Sequence, residues 1–128
     1  GLEVARRRLG DDGRVRWITA DVLTWAPERA YGLWHDRAVL HFLTEPAERA
    51  AYLATLQAAV PHGAVVLGTF APDGPERCSG LPVARYDADE LGALLEGFDV
   101  VATRRDVHVT PSGAEQPFTF VAARRRAA

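Results

Sequence analysis

From Ala64 to Ala71 the sequence reads AVVLGTFA, with one hydroxyl and no charge. Turn residues bound it, Pro61-His62-Gly63 before and Pro72-Asp73-Gly74 after. An apolar run of this length, with β-branched residues at its centre, predicts a fully buried strand; one solvated face would impose alternation of polar and apolar residues. Strands of this kind belong to sheets covered by helices, which narrows the fold more than any other feature of the chain.

The flanking segments fit that expectation. Ala47–Val60 places Ala50, Leu53, Leu56, Ala59 and Val60 on one helical face and Glu48, Arg49 and Gln57 on the other. Thr44 is its expected N-cap, Pro46 lies in its first turn, and Pro61-His62-Gly63 ends it. Asp87 followed by Glu90 forms a capping box for a helix over Ala88–Glu96. Leu2–Leu9 has helical spacing and stops at Gly10, and Asp11-Asp12-Gly13 is a turn.

Strands are predicted at Val15–Ala20, Tyr31–Asp36, Phe98–His108 and Pro117–Ala123. The last two are joined through Thr110-Pro111-Ser112-Gly113 as a hairpin, and Arg124-Arg125-Arg126 reads as a solvated tail. Leu23–Ala30, interrupted by Pro27, is a loop or short helix, and Pro72–Ala84 is a long loop. This order predicts a single α/β domain whose sheet is mainly parallel, with an antiparallel hairpin at its C-terminal end. Ligands of such sheets sit outside the carboxyl ends of the strands. The residues there are Asp21 and Val22, His35 to Arg37, and Thr69 to Pro72.

Composition removes several function classes. A net charge of −2 over 128 residues provides no basic footprint for nucleic acid or an anionic membrane. A single cysteine, Cys78, precludes an internal disulfide and fits a reducing, cytoplasmic setting. No apolar run approaches the ~20 residues of a membrane span, and Gly1–Gly10 does not resemble a signal peptide. All 15 basic residues are Arg, so lysine Schiff-base chemistry is excluded. His35 and His41 lack a third ligand at metal-binding spacing, so no metal is expected.

Three blocks resemble class I S-adenosylmethionine-dependent methyltransferases: Thr19-Ala20-Asp21-Val22-Leu23, Tyr31 to Leu43 with its Asp-Arg strand end and apolar-His continuation, and Val60-Pro61-His62-Gly63-Ala64-Val65-Val66-Leu67. The resemblance extends from Leu2 onward and implies a Rossmann-like sheet, S-adenosylmethionine as cofactor and a small-molecule methyl acceptor. It places the Asp21 carboxylate at the adenine amino group, with the Asp21 carbonyl and Val22 amide on the ring edge. It sets His35 and Asp36 beside the methionine part of the cofactor. Arg37, His41 and Tyr86 become candidate acceptor-facing residues. Each has a plainer reading: Asp21 as a cap, Asp36-Arg37 as a structural ion pair, His41 as a packed core residue and Tyr86 as the residue preceding a helix.

The family's glycine-rich first turn has no counterpart before Val15, and the sequence contains no Met. The chain is therefore expected to be the C-terminal part of a methyltransferase domain, lacking its first two strands. In the family's sheet order those strands lie between Val15–Ala20 and Tyr31–Asp36, which would leave a gap of ~10 Å. The expected consequences are low stability, an inactive isolated chain and possible self-association through the open edges. Two further readings are a non-enzymatic α/β interaction module completed by a partner chain and a different cofactor enzyme on a doubly wound sheet.

Overall fold

The computed structural model describes residues 2–10 and 12–127. Asp11, the first residue of the expected Asp11-Asp12-Gly13 turn, lies outside them. The elements are α1 (Leu2–Leu9), β1 (Leu33–Arg37), a 3-10 turn at Leu40–Phe42, α2 (Pro46–Ala59), β2 (Ala64–Phe70), β3 (Arg77–Cys78), β4 (Leu81–Pro82), α3 (Ala88–Ala93), β5 (Phe98–Val109) and β6 (Glu115–Arg125). The main sheet has the order β1-β2-β6-β5. β1 runs parallel to β2, and β6 lies antiparallel to both β2 and β5.

The core forms where α2 and α3 meet one face of this sheet. Tyr52, Leu56 and Ala59 of α2 and Leu91 of α3 pack against Val65 and Leu67 of β2 and Val121 and Ala123 of β6. The inward face of α2 is thus Tyr52, Thr55, Leu56 and Ala59, with Ala50 exposed, which shifts the expected face by part of a turn. The spacing of Ala50, Leu53, Leu56, Ala59 and Val60 does not point to Tyr52 or Thr55. Both polar residues are buried because their hydroxyls have partners. Tyr52 donates to Asp36, and Thr55 donates to the Ala51 carbonyl at 3.1 Å.

Helix ends follow local chemistry in one case and not in another. Asp87 and Glu90 form the reciprocal capping box as expected. At α2 the N-cap is Glu45 rather than Thr44, without a side-chain hydrogen bond, and Pro46 supplies the fixed backbone angle there. The long loop after β2 carries the small β3–β4 hairpin.

Two further expectations are corrected. Val15–Ala20 is not a strand; it joins no ladder, because no strand among the described residues lies beside it. Arg124–Arg126 is not a free tail either, since β6 continues to Arg125. The Arg125 guanidinium donates to the Gln57 side chain at 2.6 Å and to the Val60 carbonyl at 2.8 Å, and lies 4.2 Å from the centre of the Phe98 ring.

The opposite face of the sheet is more open. α1 buries no residue, and Leu33 is 58% exposed. Ala64 and Val66 are only half-buried, so β2 is fully covered only from Leu67 onward. Among the described residues, no helix is long and apolar enough to cross a membrane.

Candidate functional site

The carboxyl end of β1 and the segment Ala20–Val22 face one another across an open cavity of about 610 Å³. Ala20, Asp21 and Val22 form one side, and Trp34 to Arg37 with Val39 and Tyr52 form the other. A hollow of about 240 Å³ adjoins it, sharing Ala20, Val22 and Trp34 and adding Ile18 and Trp25. The cavity therefore unites Asp21, Val22, His35, Asp36 and Arg37 from two consecutive segments of the chain, the Ala20–Val22 turn and the end of β1.

Asp21 holds its own turn. One carboxylate oxygen accepts the Leu23 amide at 2.9 Å, and its carbonyl accepts the amides of Thr24 at 3.0 Å and Trp25 at 2.8 Å. The carbonyl expected to read a ring edge is thus engaged within the turn. The second carboxylate oxygen, Oδ2, has no partner among the described residues, and the side chain is exposed. Thr55 of α2 donates to the Val22 carbonyl at 3.3 Å, which ties this turn to the core.

Alternation along β1 separates the roles of its residues. His35 and Arg37 are exposed on the open face, whereas Trp34 and Asp36 point toward α2. Asp36 is 6% exposed. Its carboxylate accepts the Val39 amide at 2.9 Å, the Leu40 amide at 3.0 Å and the Tyr52 hydroxyl. Tyr52 in turn accepts the Trp34 indole N–H at 2.9 Å. Burial, with the neighbouring Asp36 charge, pushes the Tyr52 hydroxyl well above its ordinary range, so it remains a donor. Ala38, at φ 68°, takes the left-handed conformation as the chain turns from β1 toward the 3-10 turn.

Arg37 does not pair with Asp36. Its guanidinium lies 4.8 Å from the centre of the Phe118 ring, so the expected Asp36-Arg37 ion pair is replaced by a cation–π contact. The Asp36 side chain is likewise committed to the fold, and only its backbone remains for a ligand.

His41 and Tyr86, the other candidate acceptor-facing residues, lie in the core and not on this cavity. His41 is fully buried between Phe42 and Phe70, each ring 4.7 Å away between centres. Its Nδ1 accepts the Phe70 amide at 3.2 Å, which places the proton of the neutral ring on Nε2; that atom has no partner among the described residues. Burial lowers its basicity, partly offset by Asp36. Tyr86 is 8% exposed; its amide donates to the Phe70 carbonyl at 3.0 Å, and its carbonyl accepts the Thr119 hydroxyl at 2.7 Å. Both residues were singled out by position after a strand or before a helix, and position alone does not reveal which way a side chain turns. Tyr52 and Trp34 were missed because their importance lies in hydrogen bonds across the fold. Among the described residues, no group of three His, Cys, Asp or Glu is arranged to hold a metal.

The fold recurs in solved structures. The chain is similar to 1,6-didemethyltoxoflavin-N1-methyltransferase from Burkholderia thailandensis, with bound 1,6-didemethyltoxoflavin and S-adenosylhomocysteine, at TM-score 0.71 and 25% identity, covering 98% of this chain and 56% of that one. It matches the N-methyltransferase NodS from Bradyrhizobium japonicum WM9, in complex with S-adenosyl-l-homocysteine, at TM-score 0.77 and 15% identity over 98% and 62% of the two chains. The [4+2]-cyclase SpnF matches at TM-score 0.68 and 15% identity, over 98% of this chain and 61% of that one. The chain thus spans less than two thirds of each of these structures. No protein-family model matches the sequence, and a search of curated proteins gave no match.

The fold is that of the class I S-adenosylmethionine-dependent methyltransferases, a Rossmann-like α/β sheet with a C-terminal antiparallel hairpin. The strand order β1-β2-β6-β5 and the cleft outside the carboxyl end of β1 are the parts of that fold this chain carries.

Proposed function

We propose that these residues form part of a methyltransferase domain and supply one side of its cofactor cleft, the rest coming from strands outside the 128 residues. The intact protein transfers a methyl group from S-adenosylmethionine to a small-molecule acceptor, in a reducing, cytoplasmic setting. The observation that carries this reading is the convergence of Asp21-Val22 and His35-Asp36-Arg37 on one cavity at the strand ends.

The residues present fit half of such a cofactor. The Asp21 oxygen without a partner among the described residues would accept the adenine amino group, and Val22 and Trp25 would offer apolar surface to the ring. The backbone of His35 and Asp36 would hold the amino-acid end, and Arg37 would meet the acceptor. When bound, S-adenosylmethionine supplies an electrophilic methyl on its sulfonium. The contribution of the protein is then to align the acceptor with that methyl and to exclude water, a matter of proximity and orientation. Without the missing side of the cleft the isolated chain is inactive.

Isothermal titration with S-adenosylmethionine and S-adenosylhomocysteine tests this, on the 128 residues and on a version extended upstream. Binding by the extended version alone is the expected result, with Asp21→Ala weakening it by ~1–3 kcal/mol. Unchanged affinity would leave Asp21 only its turn-capping role.

The free outer edge of β1 and the unladdered Val15–Ala20 also support a second reading, a non-enzymatic module whose sheet is completed by a partner chain. Absence of binding by either version favours it. The cyclase among the structural neighbours indicates that this fold alone does not define the reaction.

A further inference from the structure

The other end of the sheet presents a different surface. β5 is its terminal strand, twelve residues long, and every residue after Phe98 is exposed. Val101, Val107 and Val109 are 64%, 42% and 58% exposed. Solitary edge strands are usually short, or interrupted by Pro, a bulge or lysines. β5 contains no Pro; it carries the irregularity at Val100–Ala102 and the charges Asp99, Arg104, Arg105 and Asp106, so any partner strand must match those charges.

Its charges follow a pattern. The register with β6 puts Thr103, Arg105 and Val107 on the face of Val121, and Arg104 and Asp106 on the face of Phe120 and Phe118. Among the described residues, neither Arg104 nor Asp106 has an ion-pair partner. Arg105 does: both of its terminal nitrogens bond Asp73, at 2.6 and 2.7 Å.

We propose that the β5 edge pairs antiparallel with β5 of a second copy, about a two-fold axis through Arg105 perpendicular to the sheet. Such an axis keeps each face matched to itself. Centred on Arg105, it sets Arg104 opposite Asp106 of the second copy, twice by symmetry. On the other face it sets Thr103 opposite Val107. Centring on Arg104 or on Asp106 would instead place like charges against each other at the axis. Arg105 meets its own counterpart there, but each is already neutralised by Asp73. Cross-strand pairs of this kind are the unit of sheet stabilisation, and the edge amides and carbonyls gain partners along the strand.

Sedimentation of the chain over a range of concentrations tests the proposal, with circular dichroism to verify folding of each variant. The wild-type chain is expected to dimerise. Arg104→Asp and Asp106→Arg each weaken the dimer by roughly tenfold or more, by setting like charges opposite each other. The double variant restores it. In a Cys78→Ser background, Arg105→Cys oxidises to a covalent dimer and Arg104→Cys does not. A chain that stays monomeric at every concentration overturns the proposal. So does a dimer indifferent to both single reversals, or one that crosslinks as readily through position 104 as through 105.

Discussion

At the scale of single residues, the hydroxyl of Tyr52 connects a buried carboxylate to the wall of the cleft. It donates to Asp36 and accepts from Trp34, and Asp36 holds the turn that follows β1. Tyr52→Phe keeps the ring but leaves both neighbours short of a partner. The expected loss is ~1–3 kcal/mol of folding stability, measured by denaturant titration. His41 makes a separate prediction. Because burial holds its folded-state basicity below the ordinary value of 6.5, the unfolded chain takes up a proton first as pH falls. The stability due to neutral His41 is therefore complete above that value and is lost as pH drops through it toward the lower folded value. His41→Asn sets an amide oxygen near the Nδ1 position, so it retains an acceptor for the Phe70 amide and removes the titration. Its denaturation midpoint should change less between pH 7 and pH 5 than the wild-type midpoint; equal slopes would assign the acid sensitivity elsewhere.

At the scale of elements, legibility depended on how local the determining physics is. The capping box at α3 lies within four residues, and β2 announces itself by composition; both were readable. The bounds of β5 and β6 were nearly right for the same reason, though β6 runs on to Arg125. Val15–Ala20 has the pattern of a strand and is none, because a strand is defined by its neighbour. Arg125 looked like one of three solvated arginines. It is set apart by the carbonyls at the C-terminal end of α2, whose orphan acceptors it satisfies. Arg125→Ala should cost ~2 kcal/mol in thermal or chemical unfolding. Arg125→Lys should recover less than half of that, since a lysine cannot reproduce the fork or lie flat on Phe98. Equal stability of the Ala variant and the wild type would return Arg125 to the solvated tail.

At the scale of the whole molecule, the α/β class and the position of the cleft were visible in the alternation of elements and in the acidic strand ends. The side-chain directions within the cleft were not. Asp36 turns inward and Arg37 outward because adjacent residues of a strand face opposite ways, so a dipeptide motif at a strand end supplies two different environments. The strand order carries one more consequence. β6 comes last in sequence and yet lies between β2 and β5. During synthesis, β2 therefore emerges long before its antiparallel neighbour, and β5 has no ladder at all until residues 115–125 are made. Until then the most apolar strand is laddered on one edge only, by β1, so the vulnerability of its other edge to aggregation is set by the interval between Phe70 and Phe118 leaving the ribosome.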